Sequence, residues 1–151
     1  MKLIKLLSYN SDKCIIISAN RPYVNLSNHL IRNEIDINKI IIIDCISKNI
    51  NNIQNQKNVV FIKNLSALTD ISISIDEKLK NLSNKKIFIF FDSITTMLMH
   101  NKPYVFARFI HNILTKMRIK EVGVVLISID DISNKAIRAE IAQLCDKVIK
   151  L

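Results

Sequence analysis

The sequence predicts an α/β fold with a mostly parallel central sheet and flanking helices. Short, continuous apolar runs are bounded by charged or polar residues, as in strands buried on both faces of a sheet. Longer segments with an apolar residue every three or four positions alternate with these runs, as crossover helices do. No linker or internal repeat divides the 151 residues, so we expect one domain over 1–151.

The expected elements follow one another along the chain. Within the N-terminal segment 1–12, residues 3–7 are expected as an edge strand or an irregular arm, because too few residues follow for a parallel crossover. Buried strands are predicted at 14–19, 39–45, 58–63, 87–91 and 122–129, with a short closing strand at 147–151. Helices are predicted at 22–33, 68–82, 103–120 and, capped by Ser133, up to 144. An asparagine-rich surface loop is expected at 47–57.

Composition limits the classes of partner. With 22 basic and 13 acidic side chains, the net charge is +9, which suits nucleic acid, an acidic membrane surface or an acidic protein. The lysines are scattered along the sequence, which favours an ordinary basic surface. No apolar run reaches the ~18 residues of a membrane span. The cysteines, Cys14, Cys45 and Cys145, have no paired spacing, and their number suits buried thiols in a reducing cytoplasm.

Glycine gives the strongest exclusion. The chain has one, Gly123, whereas a loop that holds phosphates needs several glycines so that backbone N–H groups can converge on the anion. Neither G-x-x-x-x-G-K-[ST] nor G-x-G-x-x-G occurs. A serine nucleophile on a G-x-S-x-G elbow is equally absent. We therefore assign no catalytic residue and no cofactor.

Candidate ligand-binding residues lie where the predicted strands end: Asn20, Arg21, Asp44, Asp92 and Ser93. In parallel sheets this edge carries the ligand crevice. The two aspartates either face one crevice and hold a divalent cation, or each caps the turn that follows it. Arg21 either grips a phosphate or carboxylate, or pairs with an acidic residue of its own fold. The histidines have no metal-binding spacing, so no metal site is assigned.

Several motifs resemble the RecA/KaiC-like ATPase superfamily, in particular archaeal members that have lost the ATP-binding loop. They are FFDS before a helix, the NRPY corner, and a closing helix, aspartate and short strand at 145–151. The resemblance runs from Cys14 to the end of the sequence and implies a three-layer, RecA-like sandwich. It also implies that Asp92 is a remnant of the Walker B aspartate.

Departures from this pattern imply a loss of ATP hydrolysis. Only thirteen residues precede Cys14, where the Walker A unit should stand, and the strand before Asn20 ends without a carboxylate. The resemblance thus implies a non-catalytic regulatory or scaffold protein whose partner is itself or an active RecA/KaiC-like ATPase. A nucleotide or nucleic-acid binder without hydrolysis is the alternative. Without a Walker A helix, apolar surface beside the Asp92 strand should lie open, so we expect a dimer or a covering partner.

Overall fold

The computed structural model describes residues 1–49, 57–129 and 134–150. Its strands form one sheet in which every pairing is parallel, in the order β3-β2-β1-β4-β5. The strands are β1 (Lys13–Ser18), β2 (Ile40–Asp44), β3 (Val59–Phe61), β4 (Ile87–Asp92) and β5 (Gly123–Leu126). This confirms the predicted α/β class with a parallel central sheet, and each strand lies within a predicted apolar run or overlaps it.

Helices cover both faces of the sheet. The described helices are α1 (Lys2–Tyr9), α2 (Tyr23–Arg32), α3 (Leu68–Lys80), α4 (Ile94–Met99), α5 (Pro103–Ile119) and α6 (Lys135–Gln143). Apolar side chains of α1 and α2 pack on one face, and those of α3 to α6 pack on the other. The architecture therefore has three layers. Within the described ranges, no helix is long and apolar enough to cross a bilayer.

Two local predictions are wrong at the ends of the chain. Residues 3–7 are helical, because Ile4 and Leu7 stand three positions apart and turn to the same buried side of α1. Residues 147–150 form no strand and are exposed. The predicted cap Ser133 and most of the asparagine-rich loop lie outside the described residues.

The centre of the sheet also differs from the expectation. Apolar surface was expected to lie open beside the strand that carries Asp92. Instead β1 lies beside that strand, with Ile15 opposite Ile89 of β4 on one side and Ile41 of β2 on the other. The sheet is thus continuous, and α1 packs across it. The face of the sheet on which α1 packs, which we call the α1 face, stays partly open over β4 and β5, where Phe88, Val125 and Ile127 are half-buried.

The glycine of the chain lies inside β5 rather than in a loop. Gly123 stands opposite Phe88 in the β4–β5 register. A Cβ atom at Gly123 would lie 2.4 Å from Cδ1 and Cε1 of the Phe88 ring. Glycine is therefore required here because the ring lies against the backbone of the neighbouring strand.

Candidate functional site

The carboxyl ends of three strands bring the predicted site residues into one row. Ser18 of β1 stands opposite Asp44 on β2 and opposite Asp92 on β4. Because β1 separates them, the two aspartate backbones are about 10 Å apart, twice the usual strand spacing. Within the described ranges, no three His, Cys, Asp or Glu side chains are grouped to hold a metal ion. The geometry does not favour a cation shared by Asp44 and Asp92.

Asp44 has the hydrogen bonds of a structural cap. Its buried carboxylate accepts the backbone N–H groups of Tyr23 at 2.6 Å, Ile46 at 2.8 Å and Ser47 at 2.9 Å, and the Ser47 hydroxyl at 2.5 Å. These donors belong to the start of α2 and to the turn that follows β2. The carboxylate therefore ties two connections together, and four donors already occupy its oxygens.

A smaller polar cluster surrounds Asp92 at the end of β4. The Asn20 side-chain N–H₂ lies 3.4 Å from both Asp92 Oδ1 and Ser93 Oγ, and Thr96 Oγ1 donates to Asn20 Oδ1. Ser93 is the N-cap of α4, since its Oγ accepts the Thr96 backbone N–H at 3.4 Å. The structure thus places the predicted site residues Asn20, Asp92 and Ser93 together. Most of their polar side-chain atoms already bond to one another or to Thr96.

Arg21 lies beside this cluster and is exposed. Its carbonyl oxygen accepts the Ser18 hydroxyl at 2.6 Å, which fixes the backbone of the corner. The ion pairs found in the described ranges are Lys5–Glu34, Lys116–Asp76 and Arg118–Asp146, so Arg21 pairs with no acidic residue there. Of the two interpretations of Arg21, the internal ion pair is therefore not seen.

The cysteines have the environment of inert thiols. Burial raises the pKa of Cys14 to about 12, and burial followed by the Asp44 charge raises the pKa of Cys45 further. Burial, followed by the charge of Asp146, also raises the pKa of the half-buried Cys145. Since the thiolate is the nucleophile, none of the three suits nucleophilic catalysis at neutral pH.

This predicts a simple labelling pattern. In the folded protein at pH 8, iodoacetamide should modify Cys145 alone and slowly, and all three thiols should react once the chain is unfolded, which mass spectrometry can count. Because an unfolded thiol ionises near pH 9.0 and folded Cys14 near 12, the free energy of unfolding should also fall as the pH rises between these values, by about 1.4 kcal/mol per pH unit for each of the buried thiols Cys14 and Cys45. Rapid modification of Cys14 in the folded state would contradict this assignment.

The free side of β5 is a feature that the sequence did not reveal, and we call it the β5 edge. Ile127 N–H bonds to Phe91 O on β4, so by the alternation of a strand the N–H and C=O groups of Val124 and Leu126 point away from the sheet. Every residue of β5 is half-buried, whereas β1 and β2 are almost entirely buried. Among the described residues, no hydrogen-bond partner is found for these outward groups, and an edge with open donors and apolar side chains is a template for another strand.

Apolar groups flank the β5 edge on both faces of the sheet. Val124 and Leu126 pack with the helices α3 to α6, while Val125 and Ile127 belong to the partly open α1 face. An added strand would therefore meet apolar surface with both of its alternating sets of side chains.

Comparisons with known proteins add a fold relationship. No family model matches the sequence, and no curated protein does. The chain is similar to the solved structure of an uncharacterized protein, PH0321 from Pyrococcus horikoshii, with a TM-score of 0.68 and 12% identity. The match covers 95% of this chain and 66% of PH0321, so the chain spans just under two thirds of that protein's length. The likeness supports the α/β fold. PH0321 was crystallised in complex with an unknown peptide.

Proposed function

We propose that this chain is a non-catalytic, RecA/KaiC-like interaction domain that binds an extended segment of a protein partner along the β5 edge. The observation that carries the proposal is the half-buried, apolar β5 with the backbone groups of Val124 and Leu126 directed outward. A peptide added there would gain main-chain hydrogen bonds from the edge and specificity from alternate side chains. A regulatory or scaffold role in the cytoplasm is the setting that this binding mode suits.

Two further observations support a protein partner rather than a small molecule. The similarly folded PH0321 was crystallised with a peptide. Clefts of about 240 and 360 Å³ lie beside Ile40 and between α5 and α6, away from the Asp92 corner. The corner itself is occupied by hydrogen bonds among Asn20, Ser93 and Thr96.

A display library of random peptides tests the proposal directly. We expect peptides selected on the purified chain to lose affinity about tenfold or more on Val124→Pro, which removes an outward N–H but none that pairs with β4. Val24→Ala, which trims an exposed apolar side chain on α2, is the matched control and should leave affinity unchanged. Selected peptides that bind Val124→Pro as tightly as the parent would overturn this site.

The same proposal predicts that ATP is not a ligand. Gly123 is inside β5, and the turn after β1 runs through Asn20, Arg21 and Pro22 without a glycine or a lysine to hold phosphates. We expect no ATP hydrolysis above background. Calorimetric titration with Mg-ATP should show no binding, and a dissociation constant in the micromolar range, equivalent to about 8 kcal/mol, would refute the expectation.

Nucleic-acid binding is a second candidate because the fold gathers lysines that are scattered in the sequence. Lys13, Lys39, Lys57 and Lys86 each stand at or just before the start of a strand. Parallel strands all begin at the same edge of a sheet, so these residues form one basic rim. A rim of this kind attracts phosphate backbones without reading sequence.

A charge-matched pair of variants tests the basic rim. Binding of single- or double-stranded DNA should weaken steeply with salt, and Lys57→Glu with Lys86→Glu should reduce it strongly. Lys63→Glu with Lys102→Glu changes the net charge equally, and both of these residues flank the opposite edge of the sheet. A gel shift across salt concentrations measures both pairs. Equal loss with the two pairs, or no shift even at low salt, would exclude a role for the rim.

A further inference from the structure

The chain after α6 returns to the start of the β5 edge. Arg118, in the last turn of α5, donates to the carbonyl oxygen of Leu144 at 2.5 Å and to Asp146 Oδ1 at 2.9 Å. The same helix end leads directly into β5, since Val122 N–H bonds to Met117 O. Arg118 therefore holds residues 144–146 close to the end of β5 where Gly123 begins the strand.

The connection that follows β5 is typical of a parallel crossover. α6 packs against α5 on one face of the sheet and brings the chain back to the edge where strands begin. In folds of this class, the segment after such a helix is the next parallel strand, placed beside the previous one. The residues in that position are 147–150, which we call the tail.

The tail has the side chains that the β5 edge would accept. Its sequence is Lys-Val-Ile-Lys, and Val148 and Ile149 are 61% and 67% exposed. Adjacent residues of a strand point to opposite faces. One of the two apolar side chains would thus pack beside Val124, on the face of the sheet that α3 to α6 cover. The other would pack beside Val125, on the partly open α1 face.

We propose that the tail is a sixth strand that docks in parallel on the β5 edge of the same molecule, and that a protein partner must displace it. The docked tail pairs with the outward groups of Val124 and Leu126. Undocked, as in this structure, it leaves the edge free for a partner segment. Its sequence also defines the partner: an extended segment with two consecutive β-branched or other apolar residues. The displacement step rests on the proposed function, whereas the docking step does not.

Amide hydrogen exchange of the full chain tests docking. The amides of Val124 and Leu126 should exchange about tenfold slower in the parent than in the variant V148P/I149P, because adjacent prolines remove whichever of the two N–H groups faces β5 and restrict the backbone of the tail, so the tail no longer docks. The amides of Val125 and Ile127 pair with β4 and serve as internal references. V148T/I149T keeps the backbone donors and the β-branched shape, so it should retain most of the protection. Equal exchange in the parent and V148P/I149P would overturn docking.

The concentration dependence of exchange identifies the occupant. Protection by the molecule's own tail is independent of protein concentration. Protection that rises with concentration, together with a dimer in light scattering, would mean that the tail of a second copy docks, and it would overturn the proposal in its stated form.

Peptide binding separates the two proposals. A peptide selected on the β5 edge should bind V148P/I149P several-fold more tightly than the parent, because no tail competes. If no peptide binds either chain while the exchange difference persists, the proposed function fails and tail docking stands. If a peptide binds both chains with equal affinity and Val124→Pro abolishes that binding, the proposed function stands and displacement fails.

Discussion

Asp44→Ala should destabilise the protein by on the order of 4 kcal/mol, the largest loss expected of any substitution at the strand ends. The change removes a fully buried carboxylate and leaves the N–H groups of Tyr23, Ile46 and Ser47 without their acceptor. Each hydrogen bond to a charged acceptor is worth about 1.5–3 kcal/mol, and the losses do not add fully. Urea denaturation with an unchanged slope gives the measurement.

Two conservative variants locate the cause of this loss. Asp44→Asn keeps the shape but turns an amide N–H₂ toward donors, so we expect about half of the full cost. Asp92 lies at the end of β4, on the other side of β1. Asp92→Asn should cost less than about 0.5 kcal/mol, because Asp92 is half-exposed and, among the described residues, its carboxylate has one weak contact, from Asn20. Equal costs at Asp44 and Asp92 would contradict the cap assigned to Asp44.

Gly123→Ala should cost about 2 kcal/mol although it adds a single methyl group to an edge strand. The new Cβ would overlap the Phe88 ring at 2.4 Å, and the ring must swing off the sheet toward solvent. The displaced ring would also change the open face beside Val125, so peptide affinity at the β5 edge should fall together with stability.

A double-mutant cycle isolates this contact. On a Phe88→Ala background, Gly123→Ala should be neutral or slightly stabilising, because alanine is a better strand residue than glycine when nothing lies over it. The coupling energy between the two positions should therefore be about 2 kcal/mol. Additive costs would mean that the Phe88 ring is not the reason why position 123 needs a glycine.

The interior of the fold was predictable because its strands are buried on both faces. Runs such as Ile40–Asp44 are short and continuously apolar, without the spacing of an amphipathic helix or the alternation of a half-exposed strand, and every described strand falls on or overlaps such a run. The chain ends were not predictable in this way. Residues 2–9 are too few for helical periodicity to stand out, and the tail has the composition of a strand but no pairing in the structure.

The site was only partly predictable for a topological reason. The sequence shows that Asp44 and Asp92 end strands, but it does not show that β1 separates them. The apolar run that contains β5 has the same pattern as the central strands, so nothing local marks Val124 and Leu126 as an edge. The basic rim was missed for the same reason, since its lysines become neighbours only when the strands align.

The central position of β1 has a consequence for synthesis of the protein on the ribosome. Ile15 pairs with Ile41, which is made soon afterwards, but also with Ile89, which is made much later. At bacterial or eukaryotic elongation rates, the second partner emerges roughly 4–15 s after the first residue of the pair. During that interval the nascent β1, apolar from Cys14 to Ile17, has one side unpaired. The nascent chain should therefore need a chaperone most while residues 45–86 are emerging from the ribosome.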